Sequence, residues 1–367
     1  MEFRYIDSQE ILADSFRLGH KIYESGFIPT HAVSLWRGGT VIGYGIHQYF
    51  RTHGHFINHT TVATASYNGI ESHSEVVIKG IEHLIDILSA EDRLLIIDDI
   101  FDSGRTIDAV VGEIRRRARL NAPKQITVAC IHKKVASRPI NHNLIYLYDV
   151  PDGVWLSYPH EISELIGADD RGIPALRRKS AEIYDILNHD EIYPHRETVS
   201  PEPYLRLDAN ELLLDSLRLA ANIYNDGFVP DFLIAVWPNG VSVGLPVHEY
   251  FKYKIQSADP NGKTPDHISI NTAKTDMTGR YIIYSSKYIA EHINYDDKVL
   301  LLTTDCGDGK LLDQTVDKLK YMLRNNIDES KIRTASVYVS ADNKIRPNYW
   351  CKSVNKPVML PQDWYQG

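Results

Sequence analysis

The segment Leu94 to Thr106 reads LLIIDDIFDSGRT, an apolar run of strand length that ends in two adjacent carboxylates, Asp98 and Asp99, and leads into a helical pattern. Between them lies Asp102-Ser103-Gly104-Arg105-Thr106. Backbone amides at a helix N-terminus, with the Ser103 and Thr106 hydroxyls and the freedom of Gly104, make a cradle suited to a monophosphate. In an open α/β sheet such a cradle lies beyond the carboxyl ends of the strands, where ligands bind. The G-x-x-x-x-G-K spacing of a Walker loop is absent. Helix capping alone would explain Asp102-Ser103. The complete string is more specific than a cap.

The elements that position these residues are read from an internal duplication. Asp14 to Phe50 aligns without a gap on Asp215 to Phe251, with Asp14, Arg17, Trp36, Gly39, Gly43 and Phe50 among the residues that recur. Leu94-Leu95-Ile96-Ile97 answers Val299-Leu300-Leu301-Leu302 further on. A period this long marks tandem domains, since solenoid repeats run at roughly 20–50 residues. In the first copy Ile11, Ser15, Leu18 and Ile22 recur at helical spacing before a short apolar run (Ala32 to Trp36), the second copy repeats both in Leu212 to Ile223 and Phe232 to Trp237, and further runs at Ile126 to Ile131 and Leu144 to Tyr148 complete a βαβ series. Such a series predicts an α/β fold in which each copy is a parallel sheet flanked by helices. The expected domains are 1–190 and 204–367, joined by a polar linker at 191–203 with Pro194, Pro201 and Pro203 nearby. The stretch Pro174 to Leu187 reads as helical without a counterpart in the second copy.

The string at Asp98 to Thr106 closely resembles the PRPP-binding motif of the type I phosphoribosyltransferases, which use 5-phosphoribosyl-1-diphosphate (PRPP). The resemblance implies two tandem domains of that type. It implies that Asp98 and Asp99 bind the ribose 2′- and 3′-hydroxyls and, directly or indirectly, Mg²⁺, while Asp102 to Thr106, Arg105 included, hold the 5′-phosphate. Carboxylates there also suit the positive charge that develops on the ribose as diphosphate leaves, and Mg²⁺ offsets charge on the departing oxygens. Arg37-Gly38-Gly39, after the first core strand, resembles the family's diphosphate loop; two glycines let amides approach closely and Arg37 supplies a forked cation. Ser66-Tyr67, in the polar stretch Thr60 to Ser74, resembles the Ser-Tyr pair of the catalytic hood loop.

The acceptor half resembles the purine branch, of the xanthine-guanine and hypoxanthine kind. Lys134 takes the position of the lysine that meets a 6-oxo group, and Trp155 that of the aromatic residue that stacks on the base. Asp102 takes the position of the acid near N7 that acts as general base. The resemblance therefore implies Mg²⁺-dependent transfer of phosphoribosyl to a 6-oxopurine-like base, with Asp102, Arg37 and Tyr67 as the catalytic set. A PRPP- or nucleotide-sensing regulator, and a transferase with an unusual acceptor, are the rival readings.

The second copy has replaced these groups. Thr303-Thr304 stand opposite Asp98-Asp99, Pro238-Asn239 opposite Arg37-Gly38, Lys274-Thr275 opposite Ser66-Tyr67, and Pro357 opposite Trp155. A degenerate domain follows, kept for packing, a partner or an altered ligand.

Composition narrows the remaining classes. A net charge of −8 repels polyanions and argues against nucleic-acid binding. No apolar run is long enough to cross a bilayer, so no membrane role is expected. Three scattered cysteines fit a reducing, cytoplasmic setting rather than a disulfide framework. A homo-oligomer is compatible with the sequence.

Overall fold

The computed structural model describes residues 2–66, 76–275, 277, 281–284, 287–361 and 363. The described residues fall into two compact units, the first holding 2–4 and Glu10–Leu156, the second holding Tyr5–Gln9 and 157–363.

In the first unit the apolar runs become β1 (His31–Trp36), β2 (Asn58–Ser66), β3 (Val76–Lys79), β4 (Arg93–Phe101), β5 (Gln125–Lys134) and β6 (Asn143–Val150). They form one sheet in the order β3-β2-β1-β4-β5-β6. Every pairing is parallel except that of the edge strand β3 with β2. The helices α1 (Ser8–Glu24), α2 (Gly39–Thr52) and α3 (Arg105–Ala118) flank it. Leu94 and Ile96 share one face of β4 with Val33 and Leu35 of β1, and Ile107, Val110 and Ile114 of α3 complete that core. Residues two apart on a strand share a face while helical neighbours recur at three or four, so the two periodicities mesh into one apolar layer.

The second unit repeats the plan with α4 (Ala209–Asn225), β8 (Phe232–Trp237), α5 (Val241–Ala258), β9 (Asp266–Thr275), β10 (Tyr281–Tyr284), β11 (Val299–Asp305), α6 (Lys310–Leu323), β12 (Ile332–Ser340) and β13 (Tyr349–Val354). Its sheet runs β10-β9-β8-β11-β12-β13, with β7 (Arg196–Thr198) added in parallel beside β13. The registers coincide as well as the order. Ser34 pairs with Ile97 in the first sheet, and Ala235 with Leu302 in the second, each the last aligned pair of its two strands. The two sheets thus share a pairing frame, which the fold holds because a one-residue slip would turn every core side chain to the wrong face.

A buried acid on the first helix of each unit ties helix to sheet. Asp14 accepts bonds from Arg17 (2.6 Å) and the Tyr148 hydroxyl (3.0 Å). Asp215 accepts from Arg218 (2.8 Å) and the Tyr338 hydroxyl (3.0 Å), and pairs with Lys352 at 2.7 Å. Opposite charges and donors of this kind offset the cost of removing a carboxylate from water.

Of the segments expected to join the domains, Ala175–Lys179 and Ala181–Asn188 are helices, broken at Ser180, whose hydroxyl accepts the Ile183 N–H at 3.2 Å. Within the stretch 191–203, Arg196–Thr198 serves as the edge strand β7. Among the described residues no helix is long and apolar enough to cross a membrane.

Candidate functional site

The strand carrying the two acids runs further than its apolar residues indicate. β4 continues through Asp98 and Asp99 to Phe101, held on one side by β5, with Asp98 aligned to Cys130 and Phe101 to Lys133. On the other side its pairing with β1 stops at Ile97. The two acids therefore lie where β4 has outrun β1, and where the connections on either side of the sheet diverge. In open α/β sheets such a switch point is where ligands bind.

The chain leaving β1 fills part of that opening. Arg37 is half-buried at the strand's end, and its carbonyl accepts both the N–H (3.2 Å) and the hydroxyl (2.6 Å) of Thr40. A Cβ at Gly38 would collide with the Asp99 carboxylate, and one at Gly39 with the Ile97 carbonyl. Both positions need glycine because the turn into α2 passes directly over the end of β4. This contact brings the Arg37-Gly38-Gly39 loop and the acidic pair into one place.

The two carboxylates differ in environment. Asp99 is buried, and its Oδ1 accepts the Ile100 N–H at 2.7 Å. Asp98 is half-buried and accepts the Asp99 N–H at 3.1 Å. Burial pushes its carboxyl up to about 7, against the opposing effect of that backbone bond. Asp98 is thus poised to change charge near neutral pH, and a nearby cation would favour its ionised form.

Beyond Phe101 the chain makes the loop read as an anion cradle. Asp102 and Ser103 are exposed, and Gly104 caps α3 at φ +71°, with its Cα turned against the Phe101 ring. Arg105 and Thr106 open the helix, and the Arg105 N–H meets the Ser103 hydroxyl at 3.5 Å. Amides at the start of this fourteen-residue helix face an anion favourably.

Sequence reasoning missed Arg138. Its Nε donates to the Ser103 carbonyl at 2.5 Å, and its guanidinium pairs with Asp108 in the first turn of α3. With Ser137 it lines a hollow of about 290 Å³ shared with Asp102, Ser103 and Arg105. The signal available was a cation in the loop that follows Lys134, but only the fold shows which loop it reaches.

Lys134 ends β5, and its ammonium donates to the Val154 carbonyl at 2.5 Å and the Pro151 carbonyl at 3.4 Å. Trp155, the residue after Val154, is 40% exposed on the strand Val154–Ser157. The Lys134 ammonium is thus held by the backbone next to Trp155 in the chain. Ser66 ends β2, but its side chain and all of Tyr67 lie outside the described residues.

Mg²⁺ needs hard oxygen donors and is commonly bound through one or two carboxylates together with substrate phosphates. Asp98 and Asp99 supply that donor chemistry. Among the described residues no cluster of three or more His, Cys, Asp or Glu forms a protein-only metal cage.

No family model matches the chain, and no curated protein does. Solved structures similar to it include a hypothetical protein from Neisseria gonorrhoeae with bound ppGpp (18% identity, 49% of this chain, 96% of that one, TM-score 0.36). A purine phosphoribosyltransferase from Pyrococcus horikoshii is similar at 19% identity over 44% of this chain and 95% of its own, with a TM-score of 0.34. The xanthine-guanine-hypoxanthine phosphoribosyltransferase of Helicobacter pylori is similar at 17% identity over 44% of this chain and 95% of its own, with a TM-score of 0.36. These are remote likenesses over about half the chain.

Proposed function

We propose that the first unit is a phosphoribosyltransferase that moves the 5-phosphoribosyl group of PRPP to a 6-oxopurine-like base and releases diphosphate. The observation that carries this reading is the packing of Gly38 on the Asp99 carboxylate at the open end of β4, beside the loop that begins α3.

In this reading Asp98 and Asp99 hold the ribose hydroxyls and face the positive charge that develops at C1. The Ser103 to Thr106 loop receives the 5′-phosphate, and Arg37 with the amides of Gly38 and Gly39 receives the diphosphate. Asp98 and Asp99, together with the substrate's own oxygens, would hold Mg²⁺, which would supply charge neutralisation for the departing diphosphate. The base's N9 lone pair forms the new bond to C1 as the C1–O bond to diphosphate breaks, and Asp102 takes the proton from the ring. Trp155 stacks on the base, and Lys134 donates to a 6-oxo group if its ammonium turns from the Val154 carbonyl. The second unit, with Thr303 and Thr304 at the register of the acids, takes no part in transfer.

Diphosphate release from PRPP with hypoxanthine, guanine, xanthine, adenine, orotate and uracil tests the reading. Turnover with a 6-oxopurine is the expected result. Tight PRPP binding with no turnover on any base would replace the enzyme by a sensor, and turnover confined to a pyrimidine would remove the purine assignment.

A further inference from the structure

The second unit contains a cavity of about 660 Å³, within the ~300–1,000 Å³ typical of small-molecule sites. It lies at the place that the shared register assigns to the first unit's smaller hollow: Asp308 and Lys310 stand where Ser103 and Arg105 do, and Asn343 and Lys344 where Ser137 and Arg138 do. Gly309 caps α6 at φ +83°, as Gly104 caps α3. The position has been retained and its chemistry rewritten.

The old phosphate loop is now filled from within. Asp308 accepts the Lys310 N–H at 3.1 Å and pairs with the Lys310 ammonium at 2.6 Å. Asp305 accepts the Gly307 N–H at 3.0 Å. Internal carboxylates thus occupy amides that would otherwise face a phosphate, and they repel a further anion there.

Positive charge reappears elsewhere on the lining. Lys344, exposed, and Lys356, half-buried, have no hydrogen bond or ion pair among the described residues. Ile345, Val354 and Pro357 supply apolar surface to the same cavity. A fixed anion at one place and unpaired ammoniums at another favour an anionic guest in one orientation.

We propose that this cavity binds a nucleoside-sized organic anion, its charged group met by Lys344 and Lys356 and its ring resting on Ile345, Val354 and Pro357. The guest stays out of the loop that Asp308 occupies. This stands independently of transfer in the first unit.

The test is calorimetry on the full chain carrying Asp98→Asn and Asp99→Asn, which removes the first unit's acids, with GMP, orotate and guanosine as probes. GMP reports a phosphate monoester, orotate a ring carboxylate, and guanosine the neutral control. At least one anion should bind at one site per chain, guanosine about tenfold or more weaker, and Lys344→Glu with Lys356→Glu should weaken the anion about tenfold or more. Lys344→Glu alone, at an exposed position, should cost about threefold and serves if the double variant does not fold. Absence of binding by both anions, guanosine binding as well as either, or an affinity unmoved by the lysine changes would each overturn the proposal.

Discussion

The Cα of Gly38 faces the Asp99 carboxylate so closely that no side chain fits between them. The second unit keeps this approach in altered form: Asn239 stands at the register of Gly38 and Thr304 at that of Asp99, and the Thr304 hydroxyl donates to the Asn239 carbonyl at 2.5 Å. One unit places a carboxylate against the turn, the other a neutral hydrogen bond.

Gly38→Ala should therefore lower both stability and PRPP affinity, because the added methyl must displace a buried carboxylate; overpacking of this kind costs typically about 1–3 kcal/mol. Gly112→Ala is the matching control. A Cβ at Gly112 in α3 meets nothing within 4 Å, so that variant should gain about 0.5–1 kcal/mol from helix propensity and bind PRPP normally. Urea unfolding and calorimetry on both variants decide the point.

Asp98 gives a pH dependence with a definite sign. Its carboxyl is raised to about 7 by burial, so the folded chain holds a proton that the unfolded chain loses near pH 4, and this contribution to stability is lost as pH rises from about 4 through 7. Asp98→Asn should flatten that dependence and melt above the wild type at pH 8. Under the proposed assignment PRPP with Mg²⁺ selects the ionised form, so wild-type PRPP affinity should strengthen between pH 6 and 8. Asp98→Asn with Asp99→Asn should weaken PRPP binding well over tenfold, charge-assisted bonds being worth about 1.5–3 kcal/mol each. Equal affinity in the double variant would remove the PRPP site.

Arg138→Ala should loosen the loop without unfolding the unit. Its bonds to the Ser103 carbonyl and to Asp108 are solvent-exposed, and exposed pairs contribute about 0.2–1 kcal/mol, so melting should shift little. The KM for PRPP should rise about three- to tenfold while the acceptor KM holds, since the proposed sites for the two ligands use different loops. Arg138→Lys, which keeps charge but loses the fork, should restore only part of the loss.

Trp155→Ala should raise the acceptor KM about tenfold by removing a stacking face worth about 1–3 kcal/mol, with PRPP affinity unchanged. Lys134→Met should blunt the preference for 6-oxo over 6-amino bases. Steady-state kinetics with hypoxanthine and adenine on both variants measure each effect.

Equilibrium binding should give one PRPP per chain. Thr303→Asp with Thr304→Asp should not add a second, because Asp308 still fills the neighbouring loop. A stoichiometry of two in the wild type would show that the second unit retained its site.

Much of this was written locally. The α/β alternation and the acid-bearing strand are legible because strand runs, helical spacing and the Asp-Asp and Asp-Ser-Gly-Arg-Thr strings involve residues close in the chain. The sequence marks Asp98 and Asp99 by type, but it does not reveal that β4 outruns β1 and leaves them beside the turn at Gly38; strand ends depend on what a neighbour does sixty residues away. The same limit hid Arg138, whose reach to Ser103 crosses thirty-five residues. It also hid the pairing of His47 with His59, ring centres 5.6 Å apart, and of His248 with His267, at 4.1 Å, which read singly along the chain. Burial likewise had to await the fold. Sequence shows that Asp98 can hold a proton, whereas only the packing around it decides that it does so near neutral pH, since desolvation depends on atoms that folding brings from elsewhere.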